Sequence, residues 1–116
     1  NLATMLREML DQKQSRKFSD TDHRGVTDVT LVVKNMEAAW KLPGGIYNYG
    51  SSNDADMYET VRRVMASFGR EALAEKATGG NVRNLMMRTD KLARHGIFFP
   101  DTAAGLEAFL RKGGAL

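Results

Sequence analysis

The sequence predicts an α/β fold in which short strands are set among longer helices. Three observations predict it. Apolar residues recur at helical spacing in two well-separated stretches, 2–10 and 57–68. A glycine-bounded run, GIYNYG at 45–50, has the aromatic and branched composition of a strand. Segments of the two kinds alternate along the chain, the order expected when helices cover a largely parallel sheet.

The first element follows from Leu2, Met5, Leu6, Met9 and Leu10, which share one helix face, with Asn1 placed to cap it. That face is as apolar as a core contact, so something must cover it. A polar, turn-rich stretch follows, with room for a short strand around 17–18. In VTDVTLVVKNMEAAW the Val and Thr content favours a strand, whereas Val29, Val32, Val33, Met36 and Trp40 repeat as on a helix. A strand over 25–27 passing into a helix over about 28–41 satisfies both signals, and LPGG stops the helix. GIYNYG is the clearest strand, with Tyr47 and Tyr49 on one face and Ile46 and Asn48 on the other. Asp56 stands three residues before Glu59, the spacing of a capping box. Met57, Val61, Val64, Met65 and Phe68 form the stripe of the helix it opens, and Gly69 closes that helix. Beyond a connection at 70–82, NLMM suits a short strand, and TDKLARHG a brief helix capped by Thr89 and stopped by Gly96. A last helix starts near Asp101, with Leu106, Phe109 and Leu110 as its apolar face. The sum is roughly four or five helices and two to four short strands, too few and too short for an independent sheet.

Composition narrows the function. With 116 residues the chain supports one domain, 1–116. A net charge of +3 is well below the basic density of a dedicated nucleic-acid binder. With no cysteine, disulfides and thiol catalysis are excluded, and a reducing, cytoplasmic setting is expected. No apolar run approaches the ~18 residues of a membrane helix. NLATMLREML is amphipathic, has no signal-peptide layout and no initiating methionine, and is expected to be a start inside a longer protein or one left by trimming.

Few residues point to chemistry. His23 and His95, the only histidines, lack partners at metal-ligand spacing. Ser51 and Ser52 are not in a G-x-S-x-G elbow, and the glycine pairs at 44–45, 79–80 and 113–114 do not form a dinucleotide loop. The methionines lie mostly on apolar stripes, as core packing requires. Tyr47 and Tyr49 are expected as half-buried sheet aromatics, with a ligand cleft as the alternative. Arg62 and Arg63 fall on the polar side of their helix. Arg24 and Arg83 differ, because each adjoins an expected strand among small or polar neighbours. A guanidinium so placed can grip phosphate with two parallel hydrogen bonds.

The order of these pieces resembles the carboxyl-terminal part of the extended short-chain dehydrogenases, closest to the dTDP-4-dehydrorhamnose reductase family. That family carries a segment similar to G-I-Y-H-L-G-G followed by L-S-R-Y-E at a helix start; here GIYNYGSS and DMYETVRRVMASFG stand in that order. Its R-P-R-N-x-x-L-D-T-S-K-L-x-x-x-G-I is matched by NVRNLMMRTDKLARHGI, and its closing x-G-L-x-x-F-L helix by AGLEAFL. The likeness covers nearly the whole chain. Departures are local: Asn81 and Val82 replace the leading Arg-Pro, and Thr30 and Leu31 stand where an acidic pair and leucine are usual.

The resemblance implies the carboxyl-terminal lobe of an NAD(P)-binding Rossmann-type enzyme, mostly helical with a few short strands, whose nucleotide-binding half precedes Asn1. The glycine fingerprint and the Tyr-x-x-x-Lys pair of such enzymes are not in this sequence. The parent would use NAD(P)H to reduce a dTDP-linked 4-keto-sugar in rhamnose biosynthesis, and this chain would hold the substrate without catalysing. By position in the motifs, Arg24, Thr27, Arg83 and Asn84 are the expected substrate-binding residues, with no catalytic or metal-binding residue. The expected partners are the sugar nucleotide, the amino-terminal Rossmann half and a possible second copy in a homodimer, and neither nucleic acid nor membrane. A related epimerase or dehydratase lobe, or a non-catalytic regulatory subunit, is the alternative parent.

Overall fold

A computed structural model describes residues 1–45, 47–78, 80, 82–85 and 88–112. The chain is mixed α/β, with helices α1 (Leu2–Gln12), α2 (Val29–Lys34), α3 (Met36–Trp40), α4 (Met57–Ser67), α5 (Asp90–Ala93) and α6 (Thr102–Lys112). Strands β1 (Arg16–Ser19), β2 (Asp22–Arg24), β3 (Ala74–Ala77) and β4 (Arg83–Leu85) complete it. They pair as two parallel ribbons. β1 lies beside β3 with Arg16 opposite Ala74, and β2 beside β4 with Asp22 opposite Arg83. Parallel pairing needs long crossovers, and α2, α3 and α4 supply them.

The core forms where three amphipathic helices meet the first ribbon. Leu6, Met9 and Leu10 from α1, Val61, Val64 and Met65 from α4, and Leu106 and Leu110 from α6 pack with Phe18 and Ala74. Burying each large side chain contributes about 1.5–3 kcal/mol. The apolar face of α1 is therefore covered within the chain. Of the three caps read from the sequence, Asn1 and Asp56 close with a side-chain bond, whereas Thr89 stands at the start of α5 without one. The Asn1 side chain accepts from the Thr4 amide at 2.9 Å, and Asp56 Oδ1 accepts from the Glu59 amide at 2.7 Å. Gly69 and Gly96 adopt positive φ, +70° and +81°, just past the two helices they stop.

Three expectations are corrected. The strand expected over 25–27 lies earlier, at Asp22–Arg24. Val26 and Thr27 instead bond the start of α6 and the loop after residue 50. The Val26 amide donates to Thr102 Oγ1 at 3.0 Å, and Thr27 Oγ1 accepts from the Ser51 amide at 2.9 Å. The single helix expected over 28–41 is two short ones. Asn35 donates both its amide and its side-chain Nδ2 to the Leu31 carbonyl, a local bond that competes with helix continuation. Finally, 47–50 form no strand. Their side chains anchor them instead: Tyr49 donates to the Val32 carbonyl at 2.7 Å, Tyr47 to the Pro43 carbonyl at 2.9 Å and Asn48 to the Arg88 carbonyl at 2.9 Å. Tyr49 also meets Phe99 edge-on at 5.0 Å, and its burial raises the phenol pKa. Ile46, and Met86 and Met87 of the expected NLMM strand, lie outside the described residues; Arg83–Leu85 there are β4.

Candidate functional site

Two clefts flank Leu2 at the amino end of α1. One, of about 410 Å³, is polar on one wall, where Lys17, Ser19, Asp22 and Arg24 come from β1 and β2, and apolar on the other, where Met5, Phe18 and Met57 lie. The second, of about 350 Å³, is mainly apolar and is lined by Ala3, Val26, Thr27, Val29, Leu106 and Phe109.

Arg24 is the last residue of β2, and its side chain is 45% exposed on the polar cleft. Asp22 stands two residues earlier, so alternation along the strand places both on one face. Asp22 Oδ2 lies 3.5 Å from Arg24 Nε, and the Asp22 side chain is only 16% exposed. Its second oxygen, Oδ1, is buried without a hydrogen-bond partner among the described residues, as is Asp20 Oδ1. The backbone of Arg24 is fixed from behind. Buried Asn53 donates from Nδ2 to the Arg24 carbonyl at 3.0 Å and to Thr60 Oγ1 at 2.8 Å, while its Oδ1 accepts from the Ala55 amide. Thr60 Oγ1 in turn donates to the Asp56 carbonyl at 2.7 Å. Gly25 comes next, and a Cβ there would sit 2.3 Å from the Ser51 carbonyl oxygen, so only glycine allows the two loops to approach this closely. Thr102 closes the group, accepting from the Val26 amide and donating to the Ser52 carbonyl at 2.9 Å.

The four residues singled out in the sequence are distributed as follows. Arg24 lines the polar cleft and Thr27 the apolar one, with its hydroxyl bonded to the Ser51 amide. Arg83 opens β4 directly across the ladder from Asp22, which brings its backbone beside the Arg24 strand. Asn84 lies opposite His23 and is exposed; alternation puts that pair on the face of the ribbon away from Asp22 and Arg24.

Sequence reasoning missed Asp22, Lys17 and Asn53. The i, i+2 relation of Asp22 to Arg24 was available as a signal once the strand was placed at 22–24. Asn53 had none, because its partners Arg24 and Thr60 are brought together only by the packing of α4 under β2.

A separate ionic cluster lies on α4. Arg62 grips Glu59 through two nitrogens, Nε at 2.9 Å and Nη2 at 2.5 Å, and reaches Glu71 at 3.3 Å. Arg63 bonds Asp54 at 3.1 Å and approaches Glu59 at 3.4 Å. The hydrogen bonds from Arg62 lead in holding the Glu59 carboxyl down at about 2, and Glu59 in turn raises the pKa of Arg62. Both guanidiniums are thus committed to neighbouring carboxylates. His95 meets the Tyr47 ring edge-on at 5.7 Å, and Lys91 Nζ lies 4.5 Å over the same ring.

Among the described residues no group of three or more His, Cys, Asp or Glu side chains could hold a metal ion, and no helix is long and apolar enough to cross a membrane. No family model matches the chain, and neither the curated proteins nor the solved structures include a match.

Proposed function

We propose that this chain is the substrate-binding lobe of an NAD(P)-dependent sugar-nucleotide reductase similar to dTDP-4-dehydrorhamnose reductases. The observation that carries the reading is the position of Arg24. It ends a parallel strand, β2, and lines a cleft that also takes in Asp22 at the start of that strand and Lys17 and Ser19 of β1. Arg24 and Lys17 offer positive charge to a diphosphate, and the apolar wall of Met5, Phe18 and Met57 offers a surface to a sugar or base. The uncovered apolar residues of α2 and α3 suit a lobe that lies against a second, nucleotide-binding half. Hydride donor and proton donor would both come from that half, so this chain would bind without catalysing.

Calorimetric titration with dTDP tests the reading. Arg24→Ala is expected to weaken dTDP binding by at least about 10-fold, the loss of charge-assisted hydrogen bonds. Unchanged affinity would remove Arg24 from the site, and no binding by the wild-type chain would remove the cleft. In a reductase that contains this lobe, the same substitution raises KM for the keto-sugar nucleotide more than it lowers kcat.

A further inference from the structure

We infer that Asp22 is a positioning residue for Arg24: it orients the guanidinium so that its terminal nitrogens face a bound phosphate. The inference rests on the reading of Arg24 given above and assigns a role to a residue that reading leaves unused. By charge alone, a carboxylate beside an anion-binding arginine is a liability, since it repels the same phosphate.

The geometry points the other way. Asp22 meets Arg24 at Nε, 3.5 Å away, on the inner edge of the guanidinium. The two terminal nitrogens form the outer fork, the edge that matches two phosphate oxygens. Among the described residues neither terminal nitrogen is bonded to another side chain or carbonyl. The backbone of the arginine is held from behind. Its carbonyl is held by Asn53, itself satisfied by Thr60 and Ala55, and the backbone beyond it is confined by the close pass of Gly25 over Ser51. A long, rotamer-rich side chain thus leaves a backbone held by Asn53 and has the Asp22 carboxylate in ion-pair contact at Nε. Such restraint lowers the ordering cost of binding, the general source of affinity in pre-organised sites. Asp22 is suited to the task because it is mostly buried and lies on the same strand face. Its side chain has little freedom, and its charge is less screened than that of a surface carboxylate.

Charge and orientation predict opposite signs for one substitution. Asp22→Asn removes a negative charge from the cleft at nearly constant shape. If Asp22 only repels phosphate, dTDP binds more tightly to the variant. If Asp22 orients Arg24, dTDP binds about 3- to 10-fold more weakly despite the added positive balance, a loss of about 0.7–1.4 kcal/mol. The experiment is calorimetric titration of dTDP into the protein and its Asp22→Asn, Arg24→Ala and doubly substituted forms at one ionic strength. Weaker binding by Asp22→Asn, with no further loss when it is added to Arg24→Ala, is the expected result. Tighter or unchanged binding by Asp22→Asn, while Arg24→Ala still weakens it, overturns the positioning role and leaves the reading of Arg24 standing. If Arg24→Ala itself has no effect, both fall. Should Asp22→Asn fail to fold, Asp22→Glu serves, since it keeps the charge and displaces the carboxylate by one methylene. Weaker binding then supports orientation, and wild-type affinity overturns it.

Discussion

Leu6, Val61, Met65 and Leu110 are fully sealed from solvent, whereas Val29, Val33 and Trp40 on α2 and α3 are 71%, 62% and 78% exposed. The two sets follow equally regular helical spacing, so the contrast does not originate in the pattern. α1, α4 and α6 face one another and the β1–β3 ribbon, and each covers the others' apolar stripes. α2 and α3 are reached through a loop bound side-on to residues 51–53, and no buried residue lies on either helix. The molecule's radius of gyration is 15.3 Å, against about 13 Å for a compact domain of this length. Its accessible surface is 7166 Å², against about 6,300 Å² for a compact monomer of this mass. The difference teaches that an apolar helical stripe states a need for burial without saying where the burial is found.

Substitutions can break or sharpen this contrast. The largest effect is expected in the sealed half. Met65→Ala or Leu110→Ala leaves a cavity between α4 and its neighbours and costs about 2–5 kcal/mol, read from the midpoint of urea unfolding. Gly25→Ala tests the join between the halves. Its Cβ meets the Ser51 carbonyl oxygen, backbone that cannot rotate away, so a loss of about 1–3 kcal/mol is expected by the same measurement. Asp56→Ala removes the α4 cap and costs roughly 1 kcal/mol.

A smaller contribution belongs to Glu59, and it depends on pH. Its carboxyl is held at about 2, below its value of 4.5 in the absence of partners. The folded state therefore binds a proton less readily than the unfolded chain. The stabilisation is fully present above about pH 4.5 and is lost as pH falls towards 2. Glu59→Gln is expected to flatten that part of the thermal-melting profile while leaving its slope above pH 5 unchanged. The smallest effect is expected in the arm. Trp40→Ala should change stability by no more than about 0.5 kcal/mol. A loss near that of Met65→Ala would mean that the α2–α3 face is covered in solution, and the contrast between the halves would disappear.

Much of the sealed half was legible in advance. α1 and α4 carry dense stripes and their own caps, Asn1 and Asp56, so the local signals agree with the burial that follows. The arm was misread where local signals conflict. GIYNYG has strand composition, yet a strand needs a partner, and the hydroxyls of Tyr47 and Tyr49 and the Asn48 side chain bond the carbonyls of Pro43, Val32 and Arg88 instead. Asn35 divides a continuous stripe because its side chain reaches back to Leu31, a bond worth too little in isolation to be read from spacing. In the candidate site, Arg24 stood out by residue type and position. Asp22 required the strand to be placed at 22–24, and Asn53 required a contact between residues 29 apart in sequence.

By itself the sequence determined the helices that carry both an apolar stripe and a cap, the glycines that end them and the mixed α/β class, because those depend on interactions within a few residues. Tertiary structure alone decided that β2 pairs with β4, that residues 47–50 would be pinned rather than paired, and that Arg24 would stand between Asp22 and Asn53. These outcomes depend on which distant groups satisfy each backbone donor and each charge, and local spacing holds no record of that choice.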